Sequence, residues 1–239
     1  LSTAAAAETV TVAAAANVAA PLRALVERFD ATTDHDVIVV TASTGQLYAQ
    51  VVNGAPFDVL VAADQERPRL LVERGLADAA SRFTYAEGRL ALWTANTKWR
   101  ETLDESTLKN ADFRFVAIAN PELAPYGLAA EQTLRDLGLW DTIQPKLVRG
   151  QSIGQAFAMA ASGNADFALI ALSQALAYEG DAAYIIIDAS RHAPIDQDAV
   201  LLARAEDNAA AAAFVAFLRS DEAARIIEGF GYRRSATGP

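Results

Sequence analysis

Cysteine is absent from this 239-residue chain, and histidine occurs only twice. The absence of cysteine excludes disulfides, thiolate metal sites and cysteine nucleophiles. His35 and His192 stand alone in turn-like segments, without a second histidine at the spacing that a metal site requires. The nucleophile-elbow, Walker A and H-E-x-x-H patterns are also missing. The sequence therefore carries no signature of a common class of enzyme.

Positive charge is scarce as well. Twenty Lys and Arg stand against 30 Asp and Glu, which gives a net charge of −10. This balance argues against nucleic acid as a partner, because phosphate backbones are bound through Lys and Arg, and it disfavours anionic membrane surfaces. No uncharged apolar run reaches the ~18 residues of a membrane span. An acidic chain of this kind binds an anion only through a local site that overrides the surrounding field.

Apolar residues are abundant, at 52% of the chain, so a large core can be buried. The length fits one large domain or two modest ones. The first residues, "LSTAAAA" (1–7), are small and uncharged, with Ala5-x-Ala7 as a candidate cleavage site. We interpret residues 1–7 as a signal-peptide remnant or a disordered tail.

Short β-branched runs alternate with amphipathic runs of helical spacing. Strands are predicted at 8–16, 36–42, 57–63, 89–95, 113–121, 146–150, 166–172 and 198–204. Helices are predicted at 17–33, 45–54, 67–75, 127–138, 153–163, 208–220 and 221–231. This rhythm predicts an α/β fold with mostly parallel sheets flanked by helices. The pattern restarts near residue 85 without a linker, which favours two lobes joined by crossover strands.

Four junctions share one composition: small or neutral polar residues follow a predicted strand and open a helix. They are Ala16-Asn17, Ser43-Thr44, Pro125-Tyr126-Gly127 and Ser152-Ile153. In α/β sheets such helix starts lie at the carboxyl ends of strands, where ligands bind. Each could also be an ordinary cap, since Ser, Thr and Asn stabilise helix starts by ~1 kcal/mol.

A ring of N–H, hydroxyl and amide donors at helix starts suits a fully ionised oxyanion. Phosphate retains a proton near neutral pH, and burying that O–H without an acceptor costs ~1–3 kcal/mol. The junctions therefore favour a tetrahedral dianion that carries no proton. An enzyme acting on an anionic molecule would need a titratable group in the cleft, and the junctions offer only the Tyr126 phenol.

Six stretches together resemble the periplasmic molybdate-binding proteins of ABC importers, within the bacterial solute-binding protein superfamily. They are "VAAAANVAAPLRALVERF", "STGQLYAQVVNGAPFDVLVAADQERPRLLVERG", "SRFTYAEGRLALW", "IANPELAPYGLAAEQTLRDLGLW", "SIGQAFAMAASGNADFALIALS" and "FLRSDEAARIIEGFGY". The resemblance covers roughly residues 8–233. It implies a type II periplasmic binding protein fold, with mixed or parallel sheets and the ligand in the cleft between two lobes. Lobe one would hold 8–84 plus 200–239, and lobe two 85–199.

The resemblance also implies which residues bind the oxyanion: Ala16, Asn17, Ser43, Thr44, Tyr126 and Ile153. Tyr126 and Ile153 would contribute backbone N–H groups. Two departures from the family pattern stand out. Relatives usually carry a hydroxyl where this chain has Ala16, and many offer a tyrosine hydroxyl from the turn that here reads "LIALSQ", where Ser173 is the available substitute.

The implied function is capture of molybdate, and also tungstate, in the periplasm for the membrane permease of an ABC importer. The chain would act as a monomer without catalysis, cofactor, metal cation or nucleic acid. Alternatives are a protein for sulfate or chromate, an enzyme acting on an anionic small molecule, and a sensor domain using the same fold.

Overall fold

A computed structural model describes residues 7–109 and 112–234 of the chain. The predicted tail at 1–7 lies outside these ranges except for its last residue. Within them, the strands are β1 Thr9–Ala15, β2 Asp36–Ala42, β3 Val59–Val61, β4 Phe83–Gly88, β5 Leu90–Thr94, β6 Val116–Ala119, β7 Leu147–Gly150, β8 Phe167–Ala171, β9 Ala183–Ile186 and β10 Ile195–Leu201. They form two sheets, with strand orders β2-β1-β3-β10-β4 and β7-β6-β8-β5-β9.

Helices cover both sheets. They are α1 Ala19–Asp30, α2 Thr44–Val52, α3 Glu66–Glu73, α4 Pro125–Asp136, α5 Trp140–Ile143, α6 Ile153–Ala161, α7 Leu172–Leu176, α8 Ala209–Leu218 and α9 Asp221–Gly229. Short 3-10 helices lie at Ala16–Val18, Glu105–Lys109, Gln144–Lys146, Ala189–Arg191 and Ala203–Ala205. Gly54, the predicted stop of α2, has φ 84°, a left-handed conformation that glycine adopts without strain.

The sheets are mixed, as the implied fold allowed, and in each of them one strand runs against the other four. In the first sheet β1 pairs in parallel with β2 and β3, but β10 runs antiparallel to both β3 and β4. The second sheet repeats this arrangement, with β5 antiparallel to β8 and β9. The mixed arrangement follows from the path of the chain between the sheets. The chain leaves the first sheet after β4 and enters the second at β5 through a single residue, Arg89. It returns to the first sheet as β10.

Each sheet with its helices forms one lobe. The first lobe packs α1, α2, α3, α8 and α9 around the sheet that contains β1, and the second packs α4, α5, α6 and α7 around the sheet that contains β6. Phe29 and Phe214 are fully buried in the first lobe, and Trp93 and Phe167 in the second. The α/β two-lobed architecture predicted from the sequence is therefore confirmed.

The chain passes between the lobes at two places, next to β4 and before β10. The predicted boundaries at 84/85 and 199/200 fall inside these two strands, and both strands belong to the first sheet. The register of β10 against β4 shifts between Gln197 and Asp198, in the middle of the returning strand. Among the described residues, no helix is long and apolar enough to cross a membrane.

Candidate functional site

The four predicted junctions meet in one cavity between the lobes. The space between the lining atoms totals about 190 Å³, with narrow crevices and open solvent included. Its lining residues are Ala15, Ala16, Asn17, Ser43, Thr44, Ala63, Ala124, Pro125, Tyr126 and Ile153. All six residues implied by the resemblance are among them. The fold thus brings the four junctions together at one cavity, which their spacing along the chain could not establish.

Every described residue that lines the cavity is neutral, so neither a basic side chain nor a carboxylate is among them. Within this set, the Tyr126 phenol is the one titratable side chain. Burial, followed by the neighbouring Tyr232, raises the pKa of Tyr126 well above its ordinary value, so the phenol stays protonated. The Tyr126 oxygen accepts a hydrogen bond from Gln197 Nε2 at 3.2 Å.

The first wall follows β1, where the chain turns through the 3-10 helix Ala16–Val18 into α1. Ala16 provides no hydroxyl there. The amide nitrogen of Asn17 donates to Gln197 Oε1 at 2.8 Å and to Tyr232 Oη at 3.0 Å. Both protons of that amide are thereby used away from the cavity. The expected side-chain donor at Asn17 is therefore engaged elsewhere, and its backbone N–H is what the residue can offer an anion.

The second wall is the start of α2, where two adjacent hydroxyls make different hydrogen bonds. Ser43 Oγ donates to Gln46 Oε1 at 2.9 Å and accepts from the Gln46 N–H at 3.4 Å, in a capping box. Thr44 Oγ1 accepts from the Ala63 N–H at 3.0 Å. The Thr44 proton has no acceptor among the described residues, which makes it a donor available to the cavity.

The second lobe contributes two helix starts. Helix α4 begins at Pro125 with no side-chain cap on Ala124, and α6 begins at Ile153 behind Ser152, whose Oγ accepts from the Gln155 N–H at 3.3 Å. First-turn N–H groups have no acceptor within their own helix. The Tyr126 and Ile153 N–H groups therefore lie at the positive ends of two helix dipoles. These ends border the cavity, where they stabilise negative charge.

Close backbone contacts bring the two lobes together beside the cavity. The Gly45 N–H donates to Leu123 O at 2.9 Å across the cleft. Arg67 joins Asp64, in its own lobe, to Glu122 O in the other, at 2.5 Å and 3.1 Å. A side chain at Gly45 would place Cβ 3.0 Å from Leu123 O, so the small residue permits this approach.

Ser173 does not line the cavity, and its expected role as a substitute donor is wrong. Its Oγ donates to Asn17 O at 2.8 Å and lies 3.1 Å from Tyr232 Oη. The Ser173 proton is used on the carbonyl of the neighbouring loop instead.

Neither histidine belongs to the site. His35 Nδ1 accepts from the Glu8 N–H at 3.3 Å, and His192 lies by a second interlobe groove. Among the described residues, no group of three His, Cys, Asp or Glu could hold a metal ion.

Sequence reasoning missed Ala63, Gln197 and Tyr232 at or beside the site. Ala63 carries no side-chain chemistry and acts through its N–H. Gln197 and Tyr232 contact Asn17 from 180 and 215 residues away, and no local pattern predicts such contacts.

Comparison with known proteins identifies the family of this chain. The profile of the family described as "Bacterial extracellular solute-binding protein" matches residues 10–233. The chain is 42% identical to the molybdate-binding protein ModA of Rhodobacter capsulatus over 228 residues, which is 95% of this chain and 89% of that protein. It is also 42% identical to ModA of Azotobacter vinelandii over 235 residues, covering 97% and 92% of the two chains. The solved structure of the Azotobacter vinelandii periplasmic molybdate-binding protein superposes with a TM-score of 0.87 at 37% identity, covering 95% of this chain and 99% of that one.

Proposed function

The chain belongs to the bacterial extracellular solute-binding proteins, and from that premise we propose that it captures molybdate in the periplasm for an ABC importer. Its 42% identity over nearly the full chain to proteins named as molybdate-binding supports this choice of solute. Delivery to the membrane permease follows from the proposed transport role. The protein would bind as a monomer, without a catalytic step and without a cofactor.

The observation that carries the proposal is the donor-only character of the cavity. The proposed donors are the Thr44 hydroxyl and the backbone N–H groups of Ala16, Asn17, Thr44, Tyr126 and Ile153. Ser43 would hold Thr44 in place by capping α2. Dispersed N–H dipoles stabilise a dianion without a counter-charge. Tungstate has the same charge and also carries no proton, so we propose that it binds too.

Phosphate would be rejected by the same chemistry. Its remaining proton would meet no carboxylate in the cavity, and an unpaired buried donor costs about 1–3 kcal/mol. Sulfate and chromate carry no proton, so discrimination against them would depend on cavity size instead.

Isothermal titration calorimetry with molybdate, tungstate, sulfate and phosphate at neutral pH tests the proposal. We expect tight binding of molybdate and tungstate, weaker binding of sulfate and no heat with phosphate. Tight binding of sulfate with no heat from molybdate would assign the site to another tetrahedral oxyanion. Phosphate binding without molybdate binding would overturn the proposal.

Delivery is tested separately with the permease reconstituted in vesicles. We expect the molybdate-loaded protein to stimulate ATP hydrolysis by the transporter. Stimulation equal to that by a solute-binding protein for an unrelated nutrient would contradict the transport role.

A further inference from the structure

A group of buried polar side chains lies directly behind the cavity and joins the two lobes. We name it the interlobe cluster: Asn17, Gln197 and Tyr232 from the first lobe, and Tyr126 and Ser173 from the second. All five residues are buried, with relative exposures between 0% and 6%. Only Asn17 and Tyr126 also line the cavity, so the other members are one step removed from any bound anion.

Asn17 is held from both sides by this cluster. Its carbonyl oxygen accepts from Ser173 Oγ at 2.8 Å and from Tyr232 Oη at 2.9 Å. Its amide nitrogen donates to Gln197 Oε1 and Tyr232 Oη. Two donors on one carbonyl and two acceptors on one amide leave the backbone N–H as the free donor of the residue. Groups that do not line the cavity therefore hold both the main chain and the side chain of Asn17, and with them the loop that carries this N–H.

Three of the cluster's hydrogen bonds cross the cleft. Ser173 of the second lobe donates to Asn17 O of the first, and Gln197 Nε2 of the first donates to Tyr126 Oη of the second, at 3.2 Å. The third joins Ser173 Oγ to Tyr232 Oη of the first lobe, at 3.1 Å. All three break when the lobes separate. The space is tight as well, because a Cβ on Gly88 would lie 2.2 Å from the Tyr126 oxygen. The bonds do not involve the anion, so they favour the closed arrangement whether or not it is bound.

We propose that Ser173 and Tyr232 are positioning residues, which hold the Asn17 loop in its binding geometry and favour lobe closure before the anion arrives. The identity of the anion in this statement rests on the proposed function, whereas the effect on closure does not. When only the closed form binds, the apparent dissociation constant equals the intrinsic one divided by the closed fraction. Loss of the Ser173 or Tyr232 hydroxyl would therefore weaken binding through residues that do not line the cavity.

The experiment measures closure in the ligand-free protein. Because the natural chain has no cysteine, Ala49→Cys and Ala158→Cys allow specific labelling of one exposed site on α2 and one on α6. Fluorescence energy transfer between the two labels then reports the closed-to-open ratio. Ser173→Ala and Tyr232→Phe each remove one hydroxyl in this background. Thr133→Val is the matched control, because the buried Thr133 hydroxyl donates to Ala129 O inside α4 and crosses no cleft.

We expect each cluster variant to lower the ligand-free closed-to-open ratio by about 2- to 10-fold, the factor that one net hydrogen bond provides. The dissociation constant for molybdate should rise by up to the same factor. Thr133→Val should change neither quantity. Unchanged energy transfer in both cluster variants would overturn the proposal, as would an equal shift in Thr133→Val.

The two proposals fail in different ways. Absence of molybdate binding by the unsubstituted protein would reject the proposed function, yet the ligand-free energy transfer would still decide the role of Ser173 and Tyr232. Normal binding with no change in ligand-free closure in the variants would reject the positioning role alone.

Discussion

The two lobes differ in the hydrogen-bond donors that they offer to the cavity. The first lobe adds one side-chain donor, the Thr44 hydroxyl, to its backbone N–H groups, while the side chains of Ser43 and Asn17 are committed to neighbouring groups. In the second lobe, the wall is main chain, formed by the first turns of α4 and α6. A side-chain donor is lost by a single substitution, whereas a backbone donor is lost only when the backbone moves. The lobes should therefore differ sharply in how mutations affect them.

Moving the backbone of the second lobe should have the largest effect. In Gly127→Ala, the new Cβ would lie 2.4 Å from Ala119 O, so the start of α4 must shift. We expect a loss of about 1–3 kcal/mol in the free energy of unfolding. Affinity for molybdate should fall about 100-fold, because charge-assisted hydrogen bonds each contribute about 1.5–3 kcal/mol. Denaturation and calorimetry measure the two effects.

Gly229→Ala is the control for Gly127→Ala, since a Cβ there meets nothing within 4 Å. It should bind molybdate as the unsubstituted protein does. Wild-type affinity in Gly127→Ala would show that the position of the α4 start does not determine binding.

In the first lobe, Thr44→Val should have the next largest effect. The substitution keeps the shape, but removes the free O–H and leaves the Ala63 N–H without its acceptor. We expect molybdate affinity to fall about 10- to 100-fold, given about 1.5–3 kcal/mol for a hydrogen bond to a charged group. Calorimetry against the unsubstituted protein measures this loss.

Ser43→Ala tests whether Ser43 only caps α2 or also donates to the anion, as Thr44 is proposed to do. We expect it to lower the free energy of unfolding by about 1 kcal/mol while changing affinity much less than Thr44→Val does. An equal loss of affinity in the two variants would mean that the Ser43 proton turns from Gln46 to the anion on binding.

Truncating a side chain in the part of the cavity formed by the second lobe should have a small effect on binding. Ile153→Val removes one buried methylene, which costs about 0.5–1.5 kcal/mol of stability, but leaves the N–H of α6 in place. Molybdate affinity should stay within about threefold of the original, a change below the worth of one hydrogen bond. A tenfold loss would show that the isoleucine side chain, and not its backbone, shapes the cavity.

The smallest effect on molybdate affinity is expected from a change of pH. Affinity should be constant between about pH 7 and 9, because the Tyr126 phenol stays neutral there. Stability should fall at higher pH. Burial raises the pKa of Tyr232 to about 12 and those of Tyr85 and Tyr126 well above 10.

The sign of that stability change follows from the raised pKa values. The folded state favours neutral phenols, so their contribution is fully present below pH ~10 and is lost as pH rises towards 12. Denaturant midpoints at several pH values measure the stability change, and calorimetry measures the affinity. Affinity that titrates near neutral pH would indicate an ionisable group acting at the cavity.

Local chemistry explains which parts of this fold were predictable. The helix starts after Ser43 and Ser152 were visible because cap residues leave a local signature, and both cap as expected. Strand β4 was not predicted as a strand, since "FTYAEG" lacks the apolar run that marked its neighbours. Strand β9 also escaped, because its half-buried alternation covers only four residues.

The candidate site was predictable as a set of loops, but not as a hydrogen-bond network. The resemblance to a known family placed six residues, and the structure brings all six to one cavity. The use of each donor depends on partners from other strands and helices. Ser173 and Asn17 are 156 residues apart in the chain, so only the folded arrangement reveals that they pair.

The path of the chain through the two sheets also sets an order for folding. The second lobe is one continuous stretch, from β5 to β9, whereas the first sheet is unfinished until β10 inserts between β3 and β4. Such pairing joins distant parts of the sequence and is slow for that reason. As the chain emerges from its amino end, the second lobe can form its core while β3 and β4 still have unpaired edges. The lobe that begins first is thus completed last, and until then its open strand edges are available for wrong pairing with other chains.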